Sequence, residues 1–220
     1  MTVALVLGAA GGLGASIVSE LLDNGLIVNA ITRSPPSPKM LSEIRESQGR
    51  LRHEQVDRYP LLFLPQDLRY VFFAQGVLVE APIADCRNSD VEDSFRANVI
   101  EPILITRDIL KSCANKPLDL IYTGSTAGYA GAADMSVYCS TKFALRGFVE
   151  SMNVEYAGTP IRFSLVSTGT MNTPMGRDYA DRHGRPIQSL MDPQDVAQRT
   201  VSSVLRQDGI FSPEMVLRFR

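Results

Sequence analysis

An apolar run, Val3-Ala4-Leu5-Val6-Leu7, ends directly in Gly8-Ala9-Ala10-Gly11-Gly12-Leu13-Gly14. Five consecutive apolar residues without polar alternation read as a strand buried on both faces. Glycines at the end of such a strand permit positive φ and close backbone approach. The following segment, 14–24, has Ile17, Val18, Leu21 and Leu22 on one side and Gly25 as a stop, so it reads as a helix. Strand, glycine turn and helix N-terminus together make a site for a pyrophosphate, because backbone N–H groups and the helix dipole both favour negative charge. The spacing is Gly8-x-x-x-Gly12-x-Gly14, with Leu13 inside the turn, and differs from the G-x-G-x-x-G form.

The alternation continues along the chain. Further strands are read at 26–32, 51–56, 70–73, 118–122, 161–166 and 215–219. Helices are read at 39–48, 90–112, 137–156 and Pro193–Leu205. Alternating strands and helices imply one α/β domain over 1–220, a Rossmann-type doubly wound parallel sheet with helices on both faces. Right-handed crossovers then bring the strand C-termini to one edge, where ligands bind. Gly8, Ser125 and the segment after Val166 all follow strand ends and should converge there.

The second strand ends in Ala30-Ile31-Thr32-Arg33-Ser34. A site for NAD places an acid at this end, on the ribose 2′-hydroxyl, whereas an arginine suits the 2′-phosphate of NADP. Acids are absent here, and Arg33, with Ser34 beside it, offers a planar fork for phosphate. NADP(H) is therefore preferred over NAD(H). Further along, Tyr138 and Lys142 lie four residues apart on a predicted helix and so share a face. A free phenol has a pKa of about 10, and a neighbouring ammonium should lower it. A tyrosine so placed can protonate a carbonyl oxygen or take a proton from an alcohol.

With the glycine turn, Asn98 in a helix, Ser125 at a strand end and Tyr138-x-x-x-Lys142 in that order, the chain resembles the short-chain dehydrogenase/reductase family over nearly its whole length. The resemblance implies roles for these residues. Tyr138 is the general acid or base. Lys142 lowers its pKa and hydrogen-bonds the nicotinamide ribose. Ser125 polarises the substrate carbonyl, and Asn98 holds a water in a proton relay. It also implies that Gly169 and Thr173, in Ser167-Thr168-Gly169-Thr170-Met171-Asn172-Thr173, approach the nicotinamide, with Thr168 where the family has proline. Asp57 reads equally as a strand end or as the family's aspartate near the adenine. The family's Asn-Asn-Ala-Gly stands here as Phe73-Ala74-Gln75-Gly76, so Ala74 and Gly76 remain as cofactor contacts while the adenine-side amides are lost.

The stretch from Asp57 to Gly76 is shorter than in the family, which predicts a reduced helix on one sheet face. Residues 59–65 either cover that bared face or meet a partner chain. Residues 174–191 correspond to the substrate loop, where Arg177, Arg182, His183 and Arg185 slightly outweigh Asp178 and Asp181. Arg220 closes the sequence without the family's glycine-rich tail. A homodimer or homotetramer through 90–112 and 137–156 follows by resemblance.

Other classes fit poorly. With a net charge of −2 and mixed signs, the chain has no basic stripe for nucleic acid or an anionic membrane. Its apolar start lacks a basic flank, so it does not read as a secretory signal. Three scattered cysteines and two histidines suit neither a disulfide frame nor a metal site, which gives a reduced, cytoplasmic setting. The expected substrate is a small carbonyl compound or secondary alcohol. Two alternatives stay open: a catalytically silent NADP-binding regulator and a sugar-nucleotide epimerase or dehydratase.

Overall fold

The computed structural model describes residues 2–57, 64–113, 116–206 and 211–219. Strand β1 (Val3–Leu7) is followed by helix α1 (Gly12–Asp23) and β2 (Ile27–Thr32). Along β1, Ala4 and Val6 pack on one face of the sheet and Leu5 and Leu7 on the other. That is why the run is apolar at every position. In α1, Ile17, Val18, Leu21 and Leu22 are buried. The helix stops where Gly25, at φ +80°, lets its N–H reach Leu22 O while Leu26 N–H reaches Leu21 O.

Helix α2 (Pro38–Glu46) is capped by the Ser37 hydroxyl, which accepts from Met40 N at 3.2 Å. Strands β3 (Leu51–Gln55) and β4 (Leu68–Phe73) come next. No helix lies between them among the described residues. Most of 59–65, expected to cover the bared face, falls outside those residues; Leu64 does pack against the apolar cluster there. The remaining elements are α3 (Asn88–Phe95), α4 (Glu101–Ser112), β5 (Leu118–Thr123), α5 (Ser136–Glu155), β6 (Ile161–Thr168), α6 (Pro174–Arg182), α7 (Pro193–Leu205) and β7 (Glu214–Leu217).

All strand pairs are parallel, in the order β3-β2-β1-β4-β5-β6-β7. Helices α1, α2 and α7 cover one face through Ile17, Leu21, Met40 and Val201. Helices α4 and α5 cover the other, through Ile105, Ile109, Leu145 and Val149. On that second face Phe73 and Tyr122 stack at 4.4 Å, and the buried Tyr122 hydroxyl bonds Thr106 Oγ1 at 2.7 Å. At the N-terminal ends of the strands, buried Asp119 holds Arg162 at 2.7 Å and Arg69 at 2.8 Å. The C-terminal ends are left for the site. No helix among the described residues is long and apolar enough to cross a membrane.

Candidate active site

The glycine turn is a tight fitting. Gly8 sits at φ +79°, and a Cβ there would fall 2.5 Å from Gln75 N. A Cβ on Gly14 would meet Gly8 O at 2.2 Å, so α1 can rest on the turn only with glycine at that position. Gly12, at φ +55°, faces Thr173, whose Cγ2 would lie 3.2 Å from an added Cβ. Gly11 precedes α1 in extended conformation and gives it no side-chain cap. The first N–H groups of the helix therefore stay available for an anion. Leu13, inside the turn, has its side chain buried in the core and leaves only its backbone facing the turn.

At the end of β2, the Thr32 hydroxyl donates to Ser34 O at 2.7 Å and lies 2.9 Å from His53 Nε2. Gln55 Nε2 donates to Arg33 O. The backbone is tied inward, and the Arg33 and Ser34 side chains are exposed. Asp57, just beyond β3, is exposed as well. Gly169 donates its N–H to Leu217 O at 2.9 Å. Thr173 caps α6, its Oγ1 accepting from Gly176 N at 3.1 Å.

The four residues expected to do chemistry gather above β4 and β5. Between α3 and α4 the helix widens to a π turn over Arg96–Ile100, a feature that often marks functional sites. Asn98 in that turn accepts from Val77 N and donates to Val77 O, both at 2.8 Å, and donates to Thr141 Oγ1 at 3.0 Å. Thr141 in turn donates to Tyr138 O at 2.7 Å. Gly76 packs where a Cβ would lie 3.4 Å from Asn98 Oδ1 and 3.9 Å from Lys142 Nζ. Ser125 Oγ accepts from Ala127 N at 3.2 Å and is near enough to the Tyr138 phenol to favour its ionised form. Lys142 is 4% exposed and donates to Thr123 O at 3.0 Å.

The electrostatics correct one expectation. Burial pushes the Tyr138 phenol above its ordinary pKa, against the opposing pull of the Ser125 hydrogen bond and with a further upward push from Cys139. Lys142 does not reverse this. Its ammonium is anchored on the Thr123 carbonyl and stands 5.6 Å from the centre of the Tyr138 ring. Burial pulls its own pKa down to about 8. Desolvation thus outweighs the charge of the neighbour.

Two of the basic residues of 174–191 are engaged by a carboxylate from outside that segment. Glu80 forms an ion pair with Arg182 at 2.7 Å and bonds His183, and Arg182 also pairs with Asp178 at 3.0 Å. These bonds hold α6 against residues 76–81, beside a cavity of about 470 Å³ lined by Gly76, Val77, Glu80, Met175, Asp178 and Arg182. Sequence reasoning missed Thr141, Glu80 and Gln75. Thr141 lies inside the Tyr-x-x-x-Lys run, three residues after Tyr138, and that position was the available signal.

Residues 67–184 match the short chain dehydrogenase family model, and the chain belongs to that family of oxidoreductases. It is 26% identical over 218 residues to a short-chain type dehydrogenase/reductase of Sinorhizobium fredii, covering 93% of this chain and 84% of that one. A variant of actinorhodin polyketide ketoreductase with NADPH superposes with a TM-score of 0.87 at 20% identity, covering 98% and 95% of the two chains. A 4-hydroxyisoleucine dehydrogenase complexed with NADH superposes with a TM-score of 0.84 at 16% identity, covering 100% and 98%.

Proposed function

We propose that this protein is an NADP(H)-dependent oxidoreductase acting on a carbonyl compound or the corresponding secondary alcohol. The observation that carries the reading is the buried Lys142 beside the Tyr138 ring, its Nζ 5.6 Å from the ring centre, at the sheet edge where the glycine turn opens. Bound NADP(H) supplies or accepts the hydride. The turn formed by Gly8, Gly12, Leu13 and Gly14 would hold its pyrophosphate through backbone N–H groups. The uncapped start of α1 and the tight glycine contacts support that fit. Ala74, Gly76, Gly169 and Thr173 would line the rest of the cofactor, and Asp57 its adenine end. Both NADPH and NADH occur in proteins of this fold, so the preference rests on the end of β2, where Arg33 and Ser34 are exposed and no carboxylate follows Ala30.

Tyr138 is the proton carrier. A phenol with a raised pKa stays protonated at neutral pH, which suits donation to a carbonyl oxygen and hence reduction. Ser125 orients that oxygen. Lys142 reaches the cofactor's ribose and passes protons toward Tyr138. The Asn98 side chain is engaged with Val77 and Thr141. Its contribution to a water relay therefore comes through the backbone it fixes in the π turn. The cavity beside α6 is the proposed place for the substrate. Ile100, Leu104, Phe143 and Val154 are exposed on or next to α4 and α5, which supports a homodimer or homotetramer through those helices. Three free thiols support a reducing, cytoplasmic setting.

The test is a titration with NADPH and NADH, followed by a panel of carbonyl compounds and the Tyr138→Phe variant. Turnover that disappears in Tyr138→Phe while NADPH affinity stays within about twofold fits the role. Retained turnover removes Tyr138 from it. The altered Phe73-Ala74-Gln75-Gly76 segment favours, as a second reading, a silent NADP-binding regulator. Tight binding without turnover across the panel would select that reading.

A further inference from the structure

Among the described residues Gln75 is the one buried side chain with two orphaned polar atoms. It is 9% exposed, and neither Oε1 nor Nε2 has a hydrogen-bond partner. Buried amides are almost always satisfied, so an exception calls for a reason. The position supplies one. The Gln75 backbone lies against the glycine turn, where a Gly8 Cβ would strike its N and Cα at 2.5 and 2.7 Å. The next residue, Gly76, abuts Asn98 and Lys142. Phe73 packs on the α4/α5 face and Ala74 on the α1/α7 face. Gln75, just past the end of β4, therefore lies between the glycine turn and the side that carries Asn98 and Lys142.

We infer that the Gln75 carboxamide hydrogen-bonds the hydroxyl pair of the nicotinamide ribose of bound NADP(H), an inference that rests on the cofactor reading above. A carboxamide has two N–H donors and an acceptor oxygen. Vicinal ribose hydroxyls each donate and accept, so they satisfy both of its ends. A pyrophosphate only accepts and would leave Oε1 orphaned. The family carries alanine at this place and asparagines before it. Here the asparagines are replaced by Phe73 and Ala74, and an amide returns at Gln75.

The test uses Gln75→Met, which keeps the bulk and removes the amide, and Gln75→Ala, which installs the family's residue. Asn29→Val is the control: Asn29 Oδ1 is also orphaned, but it lies in mid-strand between Leu5 and Arg52. Calorimetry gives the Kd of NADPH and of 2′,5′-ADP, and melting of the nucleotide-free protein gives stability. Losing this contact should weaken NADPH by about tenfold in the Gln75 variants, with the nucleotide-free melting temperature equal or higher and no change in Asn29→Val. An unaltered 2′,5′-ADP affinity assigns the contact to the nicotinamide ribose; an equal loss for 2′,5′-ADP, whose ribose carries a 2′-phosphate and so lacks a hydroxyl pair, overturns the inference. An unchanged NADPH Kd, or one weakened only together with a lower melting temperature, assigns the amide to the fold and overturns the inference. Wild-type protein that binds no nicotinamide nucleotide would instead sink the proposed function itself.

Discussion

Replacing Lys142 with methionine should make the nucleotide-free protein more stable at neutral pH while abolishing turnover. In the unfolded chain this lysine has its ordinary pKa of 10.5, and burial in the fold lowers it to about 8. At pH 7 both states carry the proton, so the folded state bears the whole cost of a buried ammonium. That drop, at about 1.4 kcal/mol per pH unit, costs about 3 kcal/mol. Against it stands the bond to Thr123 O, worth about 1 kcal/mol, whose loss leaves a carbonyl without its partner. The net gain for Lys142→Met is about 2 kcal/mol, or about 4–8 °C in melting temperature for a chain of this size. The sign reverses with pH. Between pH 8 and 10.5 the unfolded chain holds the proton and the fold has released it, so wild-type stability rises relative to the variant. The advantage of Lys142→Met should therefore shrink across that window and end above it as a small deficit. Urea unfolding of both proteins from pH 7 to above 10.5 measures the difference directly, since groups common to both cancel. A difference that stays constant with pH, or a less stable variant at pH 7, refutes the assignment of Lys142 as a buried ammonium.

Arg33→Asp should weaken NADPH by about 10- to 100-fold, the loss of a charge-assisted hydrogen bond to the 2′-phosphate, with little change for NADH. Equal effects on the two cofactors in parallel titrations would remove Arg33 from phosphate recognition. Asp119→Asn should lower stability by about 2–3 kcal/mol, seen as a melting temperature lower by about 5–10 °C, because the Arg69 and Arg162 guanidiniums lose their buried carboxylate. NADPH affinity should not change, since Asp119 lies at the opposite end of the strands from the glycine turn. A weakened NADPH Kd would mean that the two ends of the sheet are coupled.

What sequence reasoning could reach follows from which interactions are local. The continuous apolar run of Val3–Leu7 and the one-sided apolar face of α1 are properties of single elements, so the parallel sheet and the convergence of Gly8, Ser125 and Gly169 at one edge were legible. The pairing of Tyr138 with Lys142 needed only the pitch of a helix. The π turn at Arg96–Ile100 was not legible. The segment 90–112 keeps an amphipathic pattern through it, and its shape is bound up with Asn98 pairing to Val77, twenty-one residues earlier. The engagement of Arg182 and His183 by Glu80, remote in sequence, was not legible for the same reason. The Tyr138 phenol makes the point most directly. Spacing gives the neighbour that should lower its pKa, but the loops at Gly76 and Gly128 pack on α5 and bury the lysine, and depth of burial is a property of the whole edge. The same packing that desolvates Lys142 keeps Tyr138 protonated. On the proposed reading, such a site gains a proton donor at neutral pH and bears the cost in the stability of its nucleotide-free state, which the Lys142→Met comparison measures.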